Sequence, residues 1–316
     1  MKSINDSLIN TLYPNFRISD TKLDLSDNGQ TVLFNLEYNL PQSLNLSSSN
    51  DNVNVEIWHY EDLKIKPVLN KQKEFQNHFL AAINLQSNLL IKLESSEESF
   101  VAISELGNFA ITNTNAFNTE PWLEGYKKKK YNVTSLTNGE KHFIKNDDRS
   151  DPFFTPDCKY VIFFYKQDGK YYSLSLTNYE TKLISSNVTF FNEYYKYLIP
   201  SGHCPDIGVA TFIKSTNSFL AYDNHDIWLL DPLGVSEPIC VTNFFGRNNN
   251  IKLRLIETKI KPSVSEDIFV TSVNEQTKEN GFYSFKINAN SIPKLLYKCS
   301  CLIYTEESQF RRLLFT

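Results

Sequence analysis

Asp223, His225, Asp226 and Trp228 form the densest cluster of chemically capable side chains in the chain, and Arg247 follows just after Gly246. Two acids, an imidazole and an indole at this spacing could line a ligand rim or form the contact surface for another domain. They could equally be structural: aspartates in turns accept backbone N–H groups, and a tryptophan packs between sheets. Arg247 could read a carboxylate through its planar fork, or pair with a nearby acid in a loop. These five residues are the candidate recognition or interface residues.

Other potential sites are weaker. The ten glycines include no pair four apart, so a G-x-S-x-G nucleophile elbow cannot occur. No pair is two or five apart, which excludes G-x-G-x-x-G and the phosphate-cradling P-loop. His59, His78, His142, His203 and His225 contain no H-E-x-x-H. The five cysteines, Cys158, Cys204, Cys240, Cys299 and Cys301, are odd in number and scattered, unlike a disulfide framework. Cys299 and Cys301 would share one face of a strand, but no second Cys or His pair stands at zinc-ligand spacing. Adjacent His203 and Cys204 would point to opposite faces of a strand, which works against a nucleophile pair. Lys127–Lys130, between Tyr126 and Tyr131, could contact phosphate; the alternative is a solvated hairpin edge that discourages strand addition. Four Asn-x-Ser/Thr sequons are what so Asn-rich a chain contains by chance. No catalytic, metal-binding or cofactor-binding residue is therefore expected.

The elements that would position these residues are strands. Short β-branched and aromatic runs recur at Thr31–Leu36, Val53–Tyr60, Phe100–Thr112, Tyr160–Tyr165, Tyr171–Leu176, Asp226–Leu230 and Asp267–Val273. Helix patterning is confined to Ile4–Leu12 and Leu69–Phe79, far from the strand–helix alternation of a parallel sheet. A loose repeat places a tight turn before an apolar strand at Gly29, Gly107, Cys158, Ser218 and Glu266, with spacings of 78, 51, 60 and 48. A second element, a strand leading into a polar turn, recurs at Tyr131–Glu140, Tyr171–Glu180 and Asp226–Gly234. Propeller blades repeat at about 40–50 residues. A β-sandwich would use the same turns without needing the longer period. The expectation is an all-β propeller, whole or incomplete, of four-stranded antiparallel blades, with residues 1–20 as a lead-in and 21–316 as one propeller domain.

Composition narrows the function classes. The chain has 316 residues, 41% hydrophobic and 14% aromatic, which supplies ample apolar area for a core. Its net charge of -4 argues against nucleic acid, whose binding needs clustered positive charge. No apolar run is long enough to span a bilayer, and the first residues lack the apolar stretch of a signal peptide.

Several segments resemble, in order, the propellers of prolyl oligopeptidase-family serine peptidases. The likeness is nearest to dipeptidyl-peptidase-like members of the Bacteroidetes type. Asn54–Asp62 is similar to their "DVWHYKD" strand, and Phe154–Val161 to "SPDGKYV". Ala221–Gly234 resembles "YDxYDIWxxDPxG", Thr242–Arg247 "LTxGxGR", and Glu279–Tyr283 "xxGFY". Together these cover roughly residues 22–285. Cys158 replaces the turn glycine, and Thr211-Phe212 stand where a tryptophan is usual.

In that family the propeller caps an α/β-hydrolase domain that carries the catalytic triad. The resemblance implies the gating propeller without the hydrolase, so no catalytic residue carries over. It implies a chain beginning partway into the propeller, either a fragment of a longer protein or a degenerate product. The expected partner is a hydrolase domain or a peptide or protein ligand, with no cofactor, nucleic acid or membrane. A stand-alone interaction scaffold is the alternative. The compartment is cytoplasmic by default, or periplasmic or exported if the chain is a fragment.

Overall fold

The computed structural model describes residues 6–19, 23–38, 78–115, 129–147, 151–166, 168–190, 207–214, 216–256, 261–287 and 291–299. The expected strand Val53–Tyr60, the 69–77 portion of the second helix candidate, Lys127, Lys128, His203, Cys204 and Cys301 lie outside these residues. Two compact units are present, residues 1–151 and 152–316.

The first unit begins with helix α1 (Asp6–Leu12), within the expected lead-in, followed by β1 (Phe16–Ile18) and β2 (Asp24–Leu25). Both strands pair with β3 (Thr31–Tyr38), which continues antiparallel to β4 (His78–Asn84) and β5 (Leu89–Lys92). The second sheet runs in sequence order through β6 (Glu98–Ile103), β7 (Phe109–Asn115), β8 (Lys129–Ser135) and β9 (Lys141–Asp147). The run Phe100–Thr112 is thus two strands joined by the Ser104–Phe109 turn. Lys129 and Lys130 do not edge a hairpin, because β8 is paired on both sides. Asp151 lies 3.8 Å from the Lys129 ammonium.

The second unit contains three four-stranded antiparallel sheets, each in sequence order. The first is β10 (Phe153–Phe154), β11 (Tyr160–Tyr165), β12 (Lys170–Ser175) and β13 (Thr181–Leu183). The next is β14 (Val209–Phe212), β15 (Phe219–Tyr222), β16 (Ile227–Leu230) and β17 (Ile239–Cys240). One turn of helix, α2 (Phe245–Asn248), leads into β18 (Ile251–Leu255), β19 (Asp267–Asn274), β20 (Asn280–Lys286) and β21 (Lys294–Cys299). Among the described residues there are five antiparallel sheets, four of them four-stranded and in sequence order, which is the arrangement of β-propeller blades.

Burial follows from the blade design. Each sheet has two apolar faces and no helical layer to cover them, so neighbouring sheets must cover one another. In the first unit Ala82 and Leu93 of one sheet pack with Ala110 and Leu136 of the next. In the second unit Ile162, Phe164 and Tyr171 meet Phe219, Ala221, Trp228 and Leu230 across one gap. Leu220, Tyr222 and Ile227 meet Leu253, Val270, Tyr283 and Phe285 across the next. In the first sheet, the Lys92 ammonium sits 4.4 Å from the Phe16 ring centre, with Tyr13 and Phe79 at 5.7 and 5.5 Å. The aliphatic stem and charge together tie β1 and the preceding turn to β5.

The five repeat anchors occupy one structural position, the turn that delivers the chain into the second strand of each blade. Gly29, Gly107 and Cys158 take φ of 69°, 66° and 56° there. Cys158 therefore keeps the left-handed conformation of the glycine it replaces. Neighbouring anchor turns also touch. Thr31 Oγ1 donates to Gly107 O at 2.7 Å, Asn217 Nδ2 to Asp157 Oδ2 at 2.6 Å, and Lys214 N to Pro262 O at 2.8 Å. The second repeat is likewise a turn. In its first two copies Gly139 and Tyr179 take φ of 81° and 57° and donate their N–H to the residue four before, as Lys278 (61°) also does in the fifth blade. In the third copy Gly234 (62°) instead donates to Asp231, three before.

Two substitutions test this turn logic by thermal melting. A Cβ on Gly107 would meet Ser26 Cβ at 2.6 Å and Thr31 Cβ at 3.0 Å. With the left-handed φ added, Gly107→Ala is expected to cost about 2–4 kcal/mol. Lys278 is exposed and left-handed, so Lys278→Gly is expected to stabilise by about 0.5–1 kcal/mol, after the entropy lost by adding a glycine. A lower melting temperature for Lys278→Gly would contradict the strain assigned to that turn.

Candidate functional site

The structure brings all five candidate residues together at one end of the fourth blade. Strand β15 ends at Tyr222, and Asp223 then closes the turn into β16. Its Oδ1 accepts the N–H groups of His225 and Asp226 at 2.8 and 2.6 Å. Its Oδ2 accepts the Trp228 indole N–H at 2.7 Å and a bond from Arg247 Nη2. This explains why an acid, and not merely a turn former, stands at 223. One carboxylate fixes the backbone of the turn and the orientation of the tryptophan two positions beyond it.

Asp226 works in the opposite direction, toward the segment after the blade. Its Oδ1 accepts the Thr242 hydroxyl at 2.8 Å and Gly246 N–H at 2.7 Å. Its Oδ2 accepts Arg247 N–H and Nε–H, both at 3.2 Å. The side chain is fully buried, so its charge depends entirely on these four bonds and the guanidinium. Thr242 also accepts the Ile227 N–H at 3.2 Å, which ties β17 back to β16. Gly246 is required by closeness: a Cβ there would lie 2.5 Å from His225 O and 2.9 Å from Asp226 Oδ1.

Arg247 spans both acids and leaves nearly half of its side chain in water. Burial opposes its charge, but the Asp223 carboxylate and the Asp226 hydrogen bond outweigh it and push the guanidinium pKa up. Its guanidinium carbon also lies 5.2 Å from the Phe244 ring centre. Phe244 in turn meets Trp228 edge-on at 5.7 Å. Trp228 packs on its other side against Phe190, within the core shared with the preceding sheet.

His225 faces the fifth blade. Its Nε2 lies 2.8 Å from Glu275 Oε2, and Lys252 Nζ lies 2.7 Å from Glu275 Oε1. The Lys252 bond leads in holding the Glu275 carboxyl below its ordinary range, with burial opposing and His225 assisting. The His225 carbonyl accepts Leu253 N–H at 3.0 Å, and the Tyr222 hydroxyl accepts Leu255 N–H at 2.9 Å. Strand β18 is thereby fastened along its open edge to the fourth blade.

Glu275, Thr242 and Lys252 are participants that sequence reasoning missed. The signal was faint, since a threonine five residues before an arginine and an acid after a strand are common. Only the packing of two blades aligns them. Among the described residues, no group of three His, Cys, Asp or Glu side chains is placed to hold a metal ion. Cys158 and Cys240 are buried, and burial pushes the Cys240 pKa up, offset in part by bonds from Phe244 and Thr242.

The structure predicts the costs of breaking the cluster. Asp226→Ala leaves Arg247 its bond to Asp223 but strands the buried Thr242 hydroxyl and Gly246 N–H, and is expected to destabilise by about 2–5 kcal/mol in urea melts. Arg247→Gln leaves two buried carboxylates without their counter-charge and is expected to cost at least as much in the same urea melts. A depressed carboxylate contributes stability that is present above its unfolded pKa and lost as pH falls through the folded one. Glu275→Gln should therefore flatten the acid side of the stability profile, measured between about pH 3 and pH 7. An unchanged acid slope would show that the Lys252–Glu275–His225 chain does not contribute.

Solved structures similar to this chain include those of three proteases or peptidases. Dipeptidyl peptidase 4 from Porphyromonas gingivalis matches 88% of it at 9% identity and a TM-score of 0.45. A puromycin-hydrolyzing peptidase from Mycobacterium tuberculosis matches 92% at 10% identity and a TM-score of 0.42. The β-propeller domain of the Trilobed protease from Pyrococcus furiosus matches 86% at 10% identity and a TM-score of 0.34. The chain spans only 40% and 39% of the first two proteins' length. No family model and no curated protein matches the sequence. The propeller assignment accordingly rests on the sheet order described above, and these likenesses are of fold alone.

Proposed function

We propose that this chain is a non-catalytic propeller module that walls off the active site of an α/β-hydrolase and admits only flexible peptides. The observation that carries this reading is how the polar cluster is engaged. Asp223 and Asp226 each accept four hydrogen bonds, from turn backbone, Trp228, Thr242 and Arg247. Carboxylates so saturated hold loops in place and have little capacity left to shuttle protons. The aligned turns and interblade cores make a stiff wall, which suits a gating role. The ordered motifs shared with prolyl oligopeptidase-type propellers supply the hydrolase as partner.

Two measurements test it. Purified chain, assayed on chromogenic dipeptide substrates, is expected to give no turnover above a mock purification. Robust turnover that survives repurification ends the non-catalytic half. Co-expression with a hydrolase domain encoded in the same genome is expected to give a stable complex by size-exclusion chromatography, and separate elution counts against the docking half.

A further inference from the structure

Two arginines flank the Asp223 cluster, and their pairing differs sharply. Arg247 is matched by both aspartates. Arg254, in β18, is half-buried, yet its side chain makes one hydrogen bond, from Nη1 to the Leu253 carbonyl at 2.7 Å. Its guanidinium carbon lies 4.7 Å from the centre of the Tyr222 ring. Of the five N–H donors that a guanidinium carries, the rest have no partner among the described residues.

The acids whose charge reaches Arg254 are already held. Asp223 is engaged by Arg247 and Trp228, and Glu275 by Lys252 and His225. Burial pushes the Arg254 pKa down, and Tyr222, Asp223 and Glu275 offset this only in part. The result is a partly desolvated cation without a contacting counter-ion among the described residues. Its platform is rigid, because the Tyr222 hydroxyl is fixed by Leu255 N–H at 2.9 Å and the Arg254 carbonyl accepts Thr271 Oγ1 at 3.3 Å. A stacked guanidinium has one face covered and its donor edge open, the arrangement that receives two coplanar oxygens bidentately. The field of Asp223 and Glu275 penalises a dianion more than a monoanion, which favours carboxylate over phosphate.

We propose that Arg254, backed by Tyr222, binds the carboxylate of a peptide, either its C-terminus or an acidic side chain. The choice of a peptide as the carrier rests on the function proposed above. The binding chemistry does not.

The test is titration of the full chain by NMR, following the backbone amide resonances of β18 in wild type and variant alike, with the Arg254 Nε–H resonance as a second readout in the wild type. Four probes are used: N-acetyl-trialanine with a free C-terminus, its C-terminal amide, N-acetyl-Ala-Asp-Ala amide, and inorganic phosphate. A saturable shift is expected with at least one carboxylate peptide and none with the neutral amide. Which carboxylate peptide binds identifies its source. Arg254→Lys keeps the charge but loses the fork, and is expected to weaken binding on the order of tenfold. The absence of a saturable shift with either carboxylate peptide overturns the proposal. So does tighter binding of phosphate, or an unchanged affinity in folded Arg254→Lys. Because the titration is read on the folded wild-type chain, its failure is separate from a failure to dock a hydrolase or to lack turnover.

Discussion

The fully buried carboxylate of Asp226 is the interaction on which the second unit's best-organised region depends. A charge with no exposed surface is tolerated only when hydrogen bonds and a counter-charge replace the lost water. Here the replacement comes from residues up to 21 positions away, Thr242, Gly246 and Arg247. To satisfy one acid, the chain after the fourth blade must turn back over it. That turn sets where α2 begins and therefore where β18 enters the fifth blade. Gly246 follows from the same demand, since the backbone must pass within reach of the carboxylate and of His225 O.

Around this point the interface between blades divides into two kinds of contact. Apolar faces supply most of the association, through aromatic and branched side chains such as Phe219, Trp228, Val270 and Phe285. Such contacts are non-directional and would tolerate sliding of one sheet over its neighbour. Directional bonds remove that freedom. Leu253 N–H to His225 O and Leu255 N–H to the Tyr222 hydroxyl lock the register of β18. The stacked anchor turns, through Asn217–Asp157 and Lys214–Pro262, do the same at other points.

Much of the architecture was legible in the sequence because blade turns impose local rules. A turn that needs a left-handed residue recruits glycine, so Gly29, Gly107 and Gly139 mark it. Of the positions where another residue stands, Cys158 and Tyr179 were still found from the surrounding pattern, whereas Lys278 was not. Strands such as β3, β11, β12, β16 and β19 were visible as short aromatic and β-branched runs. By contrast, β5, β9, β18 and β21 were not singled out, and the helix candidate Leu69–Phe79 runs into the start of β4. The join inside Phe100–Thr112 was not separated, because its turn carries apolar Leu106. The placement of Lys129 and Lys130 was misjudged for a related reason: charge suggests an edge, but β8 acquires a strand on each side only when the whole sheet assembles.

Residue types and spacing by themselves determined the all-β class, the blade period, the turns marked by glycine and the grouping of Asp223, His225, Asp226 and Trp228 as one candidate cluster, with Arg247 a separate candidate that only the fold joins to it. These depend on local conformational preference and on apolar periodicity, both of which act over a few residues. Tertiary structure alone decided how that cluster is used. The partners of Asp226 lie one strand and one turn later, and those of His225 lie in the next blade. Neither distance has a pattern in sequence. Likewise, both arginines look alike along the chain. Packing gives Arg247 two acids and leaves Arg254 with an aromatic platform and an open donor edge, because counter-charges reach a side chain only through the folded geometry.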